Sequence, residues 1–179
     1  MTATPQSRVR PEEDPNARSV RMTKGAVAYV DASDYEMVSR HSWCLHTRGY
    51  AVSRINYAYV LMHRLILVPR EGFVTDHISG NKLDNRRSNL RYATPKQSAR
   101  NTSRHKDSAS RFKGVTRRTT KAGEDRWVAR VWQDGRLLNL GAYHTEEEAA
   151  KAVDLHNASF GEFAKPNLPQ GESSGDRHL

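Results

Sequence analysis

The run DHISGNKLDNRRSNLRYAT, residues 76–94, constrains the fold more than any other part of the chain. Residues 74–100 read as strand, long polar loop, strand and helix. Asn89 follows His77 by twelve residues. Between them Gly80, Asn81, Asp84 and Asn85 mark a loop, because these residue types tolerate left-handed and turn conformations. Residues 90–93 suit a short strand. Thr94-Pro95-Lys96-Gln97 then supplies a capping hydroxyl, a proline at the first helical position and a reciprocal Gln, so a helix starts there.

The loop is bracketed by groups with chemistry. Asp76 is a hard oxygen ligand of the kind that suits Mg²⁺ or Mn²⁺, ions that keep most of their waters and need few protein ligands. His77, with an ordinary pKa near ~6.5, is substantially neutral at cytosolic pH and able to accept a proton. As strand neighbours their side chains point to opposite faces unless the strand ends there. A base for a water and a cation for a phosphate are the parts that phosphodiester hydrolysis needs. Alone, an Asp-His pair is more often a hydrogen-bonded turn than an active site.

Charge points to the same substrate class. Residues 86–136 hold fifteen Lys/Arg against four Asp/Glu, a net of +11 in a chain whose total is +9. A field focused in this way releases counterions from a polyanion, which makes nucleic acid the leading partner and an acidic membrane surface the second. A solvated basic face with no partner is the bland reading. Cys44, the single cysteine, permits no intrachain disulfide and too few thiolates for a zinc site, so a reducing cytosol is expected. No apolar run approaches the ~18 residues of a membrane span, and nothing resembles a signal peptide.

Along the chain, residues 1–19, with Pro5, Pro11 and Pro15, read as a disordered arm, and residues 169–179 as a disordered tail. A strand over 26–30 precedes a short helix with an expected capping box of Ser33 and Glu36. Strands are expected over 42–46, 50–53 and 57–61, followed by the apolar segment MHRLILV. The chemistry of this first third is unreadable from sequence.

On these residues, 63–100 resemble an HNH homing-type endonuclease of phages and bacteria, with the ββα-metal fold. The resemblance rests on His63-Arg64, Asp76-His77, Gly80, Asn81, Leu83, Asn85, Arg86 and Asn89-Leu90. It implies that His77 is the general base, Asp76 a ligand of one Mg²⁺ or Mn²⁺ ion, Asn89 the residue that steadies the base and its loop, and His63 a supporting group. Nine residues after Asn89 the family commonly carries an Asn as second metal ligand; here Ser98 stands in that place. Asn101, three residues on, could share its helical face.

After a Ser-, Asn- and Lys-rich linker over 102–110, three strand-like runs follow at 112–118, 126–132 and 136–142. Asp134-Gly135 marks a hairpin turn. Thr145 and Glu148 form a capping box for a helix that Gly161 ends near Phe160. Period-2 alternation turns Val115, Trp127, Ala129, Val131, Leu138 and Leu140 toward the helix. The other face carries Thr116, Arg118, Arg130, Trp132 and Asn139. Arg and Asn there can read base edges, while Lys113, Arg117 and Arg136 are placed to clamp phosphates. A plain solvated sheet face is the competing reading, and an exposed Trp132 argues against it.

Residues 111–168 resemble the plant APETALA/ethylene-response-factor DNA-binding domain, through Phe112-Lys113-Gly114-Val115, Trp127-Val128-Ala129, Leu140-Gly141, residues 146–150 and Asn167. Thr116, Arg130, Leu137 and Asn139 depart from the residues usual in the plant domains, so the plant target sequence is not implied. The expected whole is an α+β chain: an HNH domain with a β-rich N-terminal extension over 20–101, a linker, and a three-stranded antiparallel sheet packed on one helix. The expected function is a metal-dependent endonuclease that nicks double-stranded DNA. It is expected to act as a monomer or weak dimer without an obligate protein partner, in the cytoplasm of a bacterial or phage-infected cell. A non-catalytic DNA-binding protein or regulator with a degenerate HNH domain is the alternative. RNA is the third candidate, disfavoured because a sheet cannot enter the deep, narrow groove of an A-form helix.

Overall fold

The computed structural model describes residues 10–101, 109–121 and 123–168. The chain divides into two compact units, Met1–Ser98 and Ala99–Leu179. The expected boundary at 101 therefore moves to the middle of a helix. Most of the expected linker and all of the expected tail lie outside the described residues.

In the first unit, strands β1 (Ala17–Arg21) and β2 (Val27–Asp31) pair antiparallel and are followed by helix α1 (Ala32–Ser39). The arm expected over 1–19 is thus shorter than the sequence suggests: residues 11–13 form a 3-10 turn and Ala17 already pairs with Asp31. Prolines are tolerated there because Pro11 opens the turn, where a missing N–H costs nothing. The expected Ser33 capping box is absent. The helix begins two residues earlier, with Asp31 as its N-cap and no side-chain capping bond, because the Asp31 carboxylate instead accepts the backbone N–H of Arg87 at 2.7 Å.

Next come β3 (Cys44–Leu45), β4 (Ala51–Ile55) and β5 (Ala58–Leu61) as one antiparallel sheet. The apolar MHRLILV segment becomes helix α2 (Met62–Ile66), which turns Met62, His63 and Ile66 inward. Strands β6 (Val74–His77) and β7 (Leu90–Ala93) form a two-stranded ladder, and helix α3 (Pro95–Arg100) follows. Its cap is as expected: Thr94 N–H donates to Gln97 Oε1 at 2.8 Å and Gln97 N–H to Thr94 Oγ1 at 3.2 Å. The core joins Val20, Val30, Val38, Trp43, Met62, Ile66 and Leu90, and the Trp43 indole donates to the Val38 carbonyl at 2.8 Å. The β-rich extension and the β6–β7 hairpin therefore share one core.

The second unit is a three-stranded antiparallel sheet of β8 (Val115–Thr119), β9 (Asp125–Gln133) and β10 (Arg136–Tyr143), backed by helix α4 (Glu146–Ala158). Asp134 and Gly135 both adopt positive φ, the backbone a type I′ hairpin turn requires. Thr145 and Glu148 make the expected capping box. Val115, Ala129 and Val131 pack on Ala149, Ala150 and Val153, with Trp127, Leu138 and Leu140 at the margin. The expected inner face is the observed one, although a bulge between Asn139 and Gly141 shifts the register. Ser110, expected in the linker, is buried and donates to Glu146 at 2.7 Å. Asn167 closes the sheet edge, accepting from Lys113 N–H at 2.7 Å and donating to the Lys113 carbonyl at 3.0 Å. No helix among the described residues is long and apolar enough to cross a membrane.

Gly114 lies at φ +78°, and a Cβ there would meet the Arg130 carbonyl at 2.7 Å. Gly114→Ala should therefore destabilise the second unit by about 1–3 kcal/mol. Gly135→Ala, where nothing lies within 4 Å, should cost less. Urea unfolding followed by tryptophan fluorescence compares the two.

Candidate functional site

The β6–β7 register sets Asp76 opposite Arg91 and His77 opposite Leu90, and all three predicted groups here, Asp76, His77 and His63, are buried. The loop between the strands has no apolar core, so polar side chains fix it. Asn89 Oδ1 accepts the Ser79 N–H at 2.9 Å, and its Nδ2 donates to the Asp84 carbonyl at 2.7 Å and weakly to that of Asn81 at 3.5 Å. Asn89 thus ties the loop together, and its side-chain bonds go to the loop backbone. The hydrogen bond to the His77 ring comes from Asn85, at 3.2 Å between Oδ1 and Nε2.

Asn85 also fixes the tautomer. Its Nδ2 donates to the Leu83 carbonyl at 3.2 Å, so Oδ1 is the end that faces the imidazole and Nε2 carries the proton. Nδ1 is then the basic nitrogen. Burial pushes the His77 pKa down, against the opposing pull of Asn85, Asp76 and Asp84. Burial thus disfavours the charged form of the ring.

His63 stands edge-on to His77 with ring centroids 4.8 Å apart, and Tyr50 packs on His63 at 5.1 Å. Its Nδ1 is buried without a hydrogen-bond partner. Burial first, then the neighbouring His77 and Arg64, lower its pKa to about 3. The two imidazoles can approach because neither carries charge.

Asp76 is held on both oxygens. Arg91 Nε lies 3.1 Å from Oδ2 and the Ser98 hydroxyl 3.0 Å from Oδ1. The structure therefore brings the two expected ligand residues together. A carboxylate and a hydroxyl converging at that distance are hard oxygen donors that fit a Mg²⁺- or Mn²⁺-type ion bound mainly through its own waters. Among the described residues no cluster of three or more His, Cys, Asp or Glu could hold a metal, which leaves room only for so sparse a set. Asn101, the first residue after α3, is buried.

Sequence reasoning missed the roles of Arg91 and Asn85. The signal for Arg91 is cross-strand: opposite charges face each other once the register is fixed. For Asn85 no signal exists without the loop's backbone path. That path is pinned by the extension. Tyr29 N–H donates to the Leu83 carbonyl at 2.8 Å, Asn85 N–H to the Tyr29 carbonyl at 2.7 Å, and Arg87 forks onto Asp34 at 2.7 and 2.8 Å.

In the second unit Thr116, Arg117, Arg118, Trp132, Arg136 and Asn139 are exposed and Arg130 is half-buried; Trp132 keeps 71% of its surface. Arg130 pairs across the ladder with Asn139, and Trp132 with Leu137. Two of the expected phosphate clamps are modified by their surroundings. Arg117 is ion-paired with Asp125, and Lys113 is half-buried, its ammonium donating to the Arg100 carbonyl at 2.7 Å and its pKa lowered by burial.

A buried histidine hydrogen-bonded to an amide thus lies beside a carboxylate that accepts a serine hydroxyl. The HNH endonuclease family model matches residues 61–100. An uncharacterized HNH endonuclease of Acanthamoeba polyphaga mimivirus is 37% identical over 152 residues, covering 80% of this chain and 76% of the relative. The chain belongs to the HNH endonuclease family. No solved structure matches it.

The two histidines predict acid sensitivity. Their folded pKa values are depressed, so the unfolded chain binds more protons as pH falls below ~6.5, and stability drops from there, for His63 down to about pH 3, by up to about 1.4 kcal/mol per pH unit. Thermal unfolding across that range should show the loss, and His63→Leu should flatten it.

Proposed function

We propose that the chain is a metal-dependent DNA endonuclease that nicks one strand of a duplex. In this reading β6, β7 and α3 form the ββα-metal unit, and residues 111–168 are an APETALA/ethylene-response-factor-like domain that binds double-stranded DNA for it. The observation that carries the reading is His77, kept neutral by burial and oriented by Asn85 through Nε2. Its Nδ1 takes the proton of the attacking water. Asn89 acts one step away, holding the loop that carries Asn85, and His63 walls the ring into its orientation. Asp76 and Ser98 would hold one Mg²⁺ or Mn²⁺ ion, which when bound supplies positive charge for the phosphate oxygens. One base per chain corresponds to one cut strand, so a monomer suffices for a nick.

The exposed sheet face of the second unit supports DNA targeting. Among the described residues Arg118, Arg130 and Arg136 have no carboxylate partner, in contrast to Arg117 and Arg126. A specific observation also favours a second reading, a DNA-binding protein without catalysis: Arg91 already neutralises one oxygen of Asp76, and a serine replaces the usual amide ligand.

Nicking of supercoiled plasmid separates the two. The parent chain should nick with Mg²⁺ or Mn²⁺ and not with chelator, His77→Ala should lose at least about 100-fold of the rate while keeping DNA affinity, and Ser98→Asn should be as active or more. Silence of the parent and of Ser98→Asn would favour the binding protein. Arg118→Ala and Arg130→Ala should each weaken binding by about 1–3 kcal/mol if they touch bases, measured by fluorescence anisotropy; unchanged affinity in both would move DNA off that face.

A further inference from the structure

The β3–β4–β5 sheet leaves one face in solvent, and its composition is not that of an ordinary surface. Register places Cys44, Val52 and Leu61 in one row across the three strands, and Arg54 opposite Tyr59 in the next. That face opens into a cleft of about 1040 Å³. Arg48 and Arg64 stand at its wall, and its lining runs on to His63 and Ser98. None of the lining residues is acidic. Among the described residues no carboxylate pairs with Arg48, Arg54 or Arg64, although exposed arginines elsewhere in the chain, such as Arg10 and Arg40, are paired.

The hairpin that ends this face is also unusual. Asn56 and Tyr57 sit at φ +48° and +65°, a two-residue turn whose second position favours glycine. A bulky residue held at positive φ is an outlier that costs on the order of 1–3 kcal/mol and marks functional segments. Here the strain presents a ring that is 91% exposed, with Tyr59 81% exposed beside it. The Arg54 guanidinium lies 5.8 Å from the Tyr57 ring centroid. Packing supplies no reason for two bare tyrosines beside unpaired arginines.

We infer that this face is a DNA-binding surface of the first unit, which seats the backbone of the strand to be cut; the word "cut" rests on the nuclease reading above. Arg48 and Arg64 contact phosphates on the way to the catalytic residues, and Arg54, Tyr57 and Tyr59 hold the flanking duplex. Guanidinium groups without carboxylates, next to exposed rings, match sugar-phosphate chemistry. An acidic protein partner would need the same charges but no path to His63 and Ser98. The surface gives the N-terminal third a function of its own: it sets which phosphate reaches His77.

Cys44 allows a direct test, because it is the chain's single cysteine, is exposed and lines the cleft. A chelated iron tethered to it generates hydroxyl radicals locally. The full chain in a His77→Ala background, bound to an end-labelled mixed-sequence duplex, should give scission confined to a few nucleotides. Arg48→Gln with Arg64→Gln should abolish that pattern, weaken binding by roughly tenfold and reduce the slope of log K against log salt by about 1.8, two phosphate contacts. Arg48→Lys with Arg64→Lys should restore it. Bound DNA without directed scission, or an unchanged salt slope in the Gln variant, would overturn the inference. Since the readout needs binding and not nicking, directed scission with an inactive parent would sink only the nuclease reading.

Discussion

The site depends on a buried guanidinium. Arg86 is clamped by Asp84 through Nε at 2.8 Å and Nη2 at 2.9 Å, and its Nη1 reaches Asp14 at 2.6 Å. Arg86 and Asp84 are both buried, so each would be costly to leave alone; removing one partner of such a pair costs about 3–5 kcal/mol. The Asp14 carboxyl is held below its ordinary pKa first by the Asn16 N–H and then by Arg86. A loop of twelve residues whose only large apolar side chains are Ile78 and Leu83 cannot fold by burying apolar surface alone. This ionic cross-link, with Asn89 inside the loop and Tyr29 beneath it, replaces a core. Asn85 then has one position available, and with it the His77 ring has one orientation.

A dependence of this kind makes the extension part of the candidate site. Asp14, Tyr29, Asp31 and Asp34 all lie before the hairpin that carries Asp76 and His77, and each bonds the loop that follows them. The hairpin contributes Leu90 to the shared core, with Leu83 of its loop partly buried against it. Its stability therefore comes from elements that carry none of the expected chemistry. Charge is economised within the site as well. Two neutral imidazoles, one carboxylate and one guanidinium leave the interior near neutrality, so a dication bound at Asp76 would shift the local potential more than in a cluster of carboxylates.

Local chemistry was legible in the sequence wherever it is completed within a few residues. The Thr94/Gln97 and Thr145/Glu148 boxes and the Asp134-Gly135 turn each close within one turn of chain, and all three are present. Period-2 alternation was sufficient for the inner face of the second sheet, because that face meets a helix while the other meets solvent. Where a distant partner competes, the sequence misleads. Asp31 sits at the N-cap of α1 in place of Ser33 but makes no side-chain cap, because Arg87, more than fifty residues away, claims its carboxylate. Residues 17–19 pair as a strand because β2 supplies the ladder that their own composition does not announce. Asn89 and Asn85 are the same residue type in the same loop, and only the backbone path decides which one meets the imidazole.

Two basic surfaces, one on each unit, share a physical style and differ in what they can specify. On the β8–β9–β10 face Arg130 and Asn139 stand opposite each other, donors and acceptors suited to base edges in a major groove. On the β3–β4–β5 face the charged and exposed aromatic groups are arginines and tyrosines, suited to backbone and stacking, which read shape more than sequence. A nuclease with a sparse metal site gains most from such a division. In the proposed nuclease, recognition by one surface would raise the local concentration of duplex at the other, and the second would have only to hold a phosphate in register with His77. Positioning, not a dense ligand set, then carries the larger share of the barrier reduction.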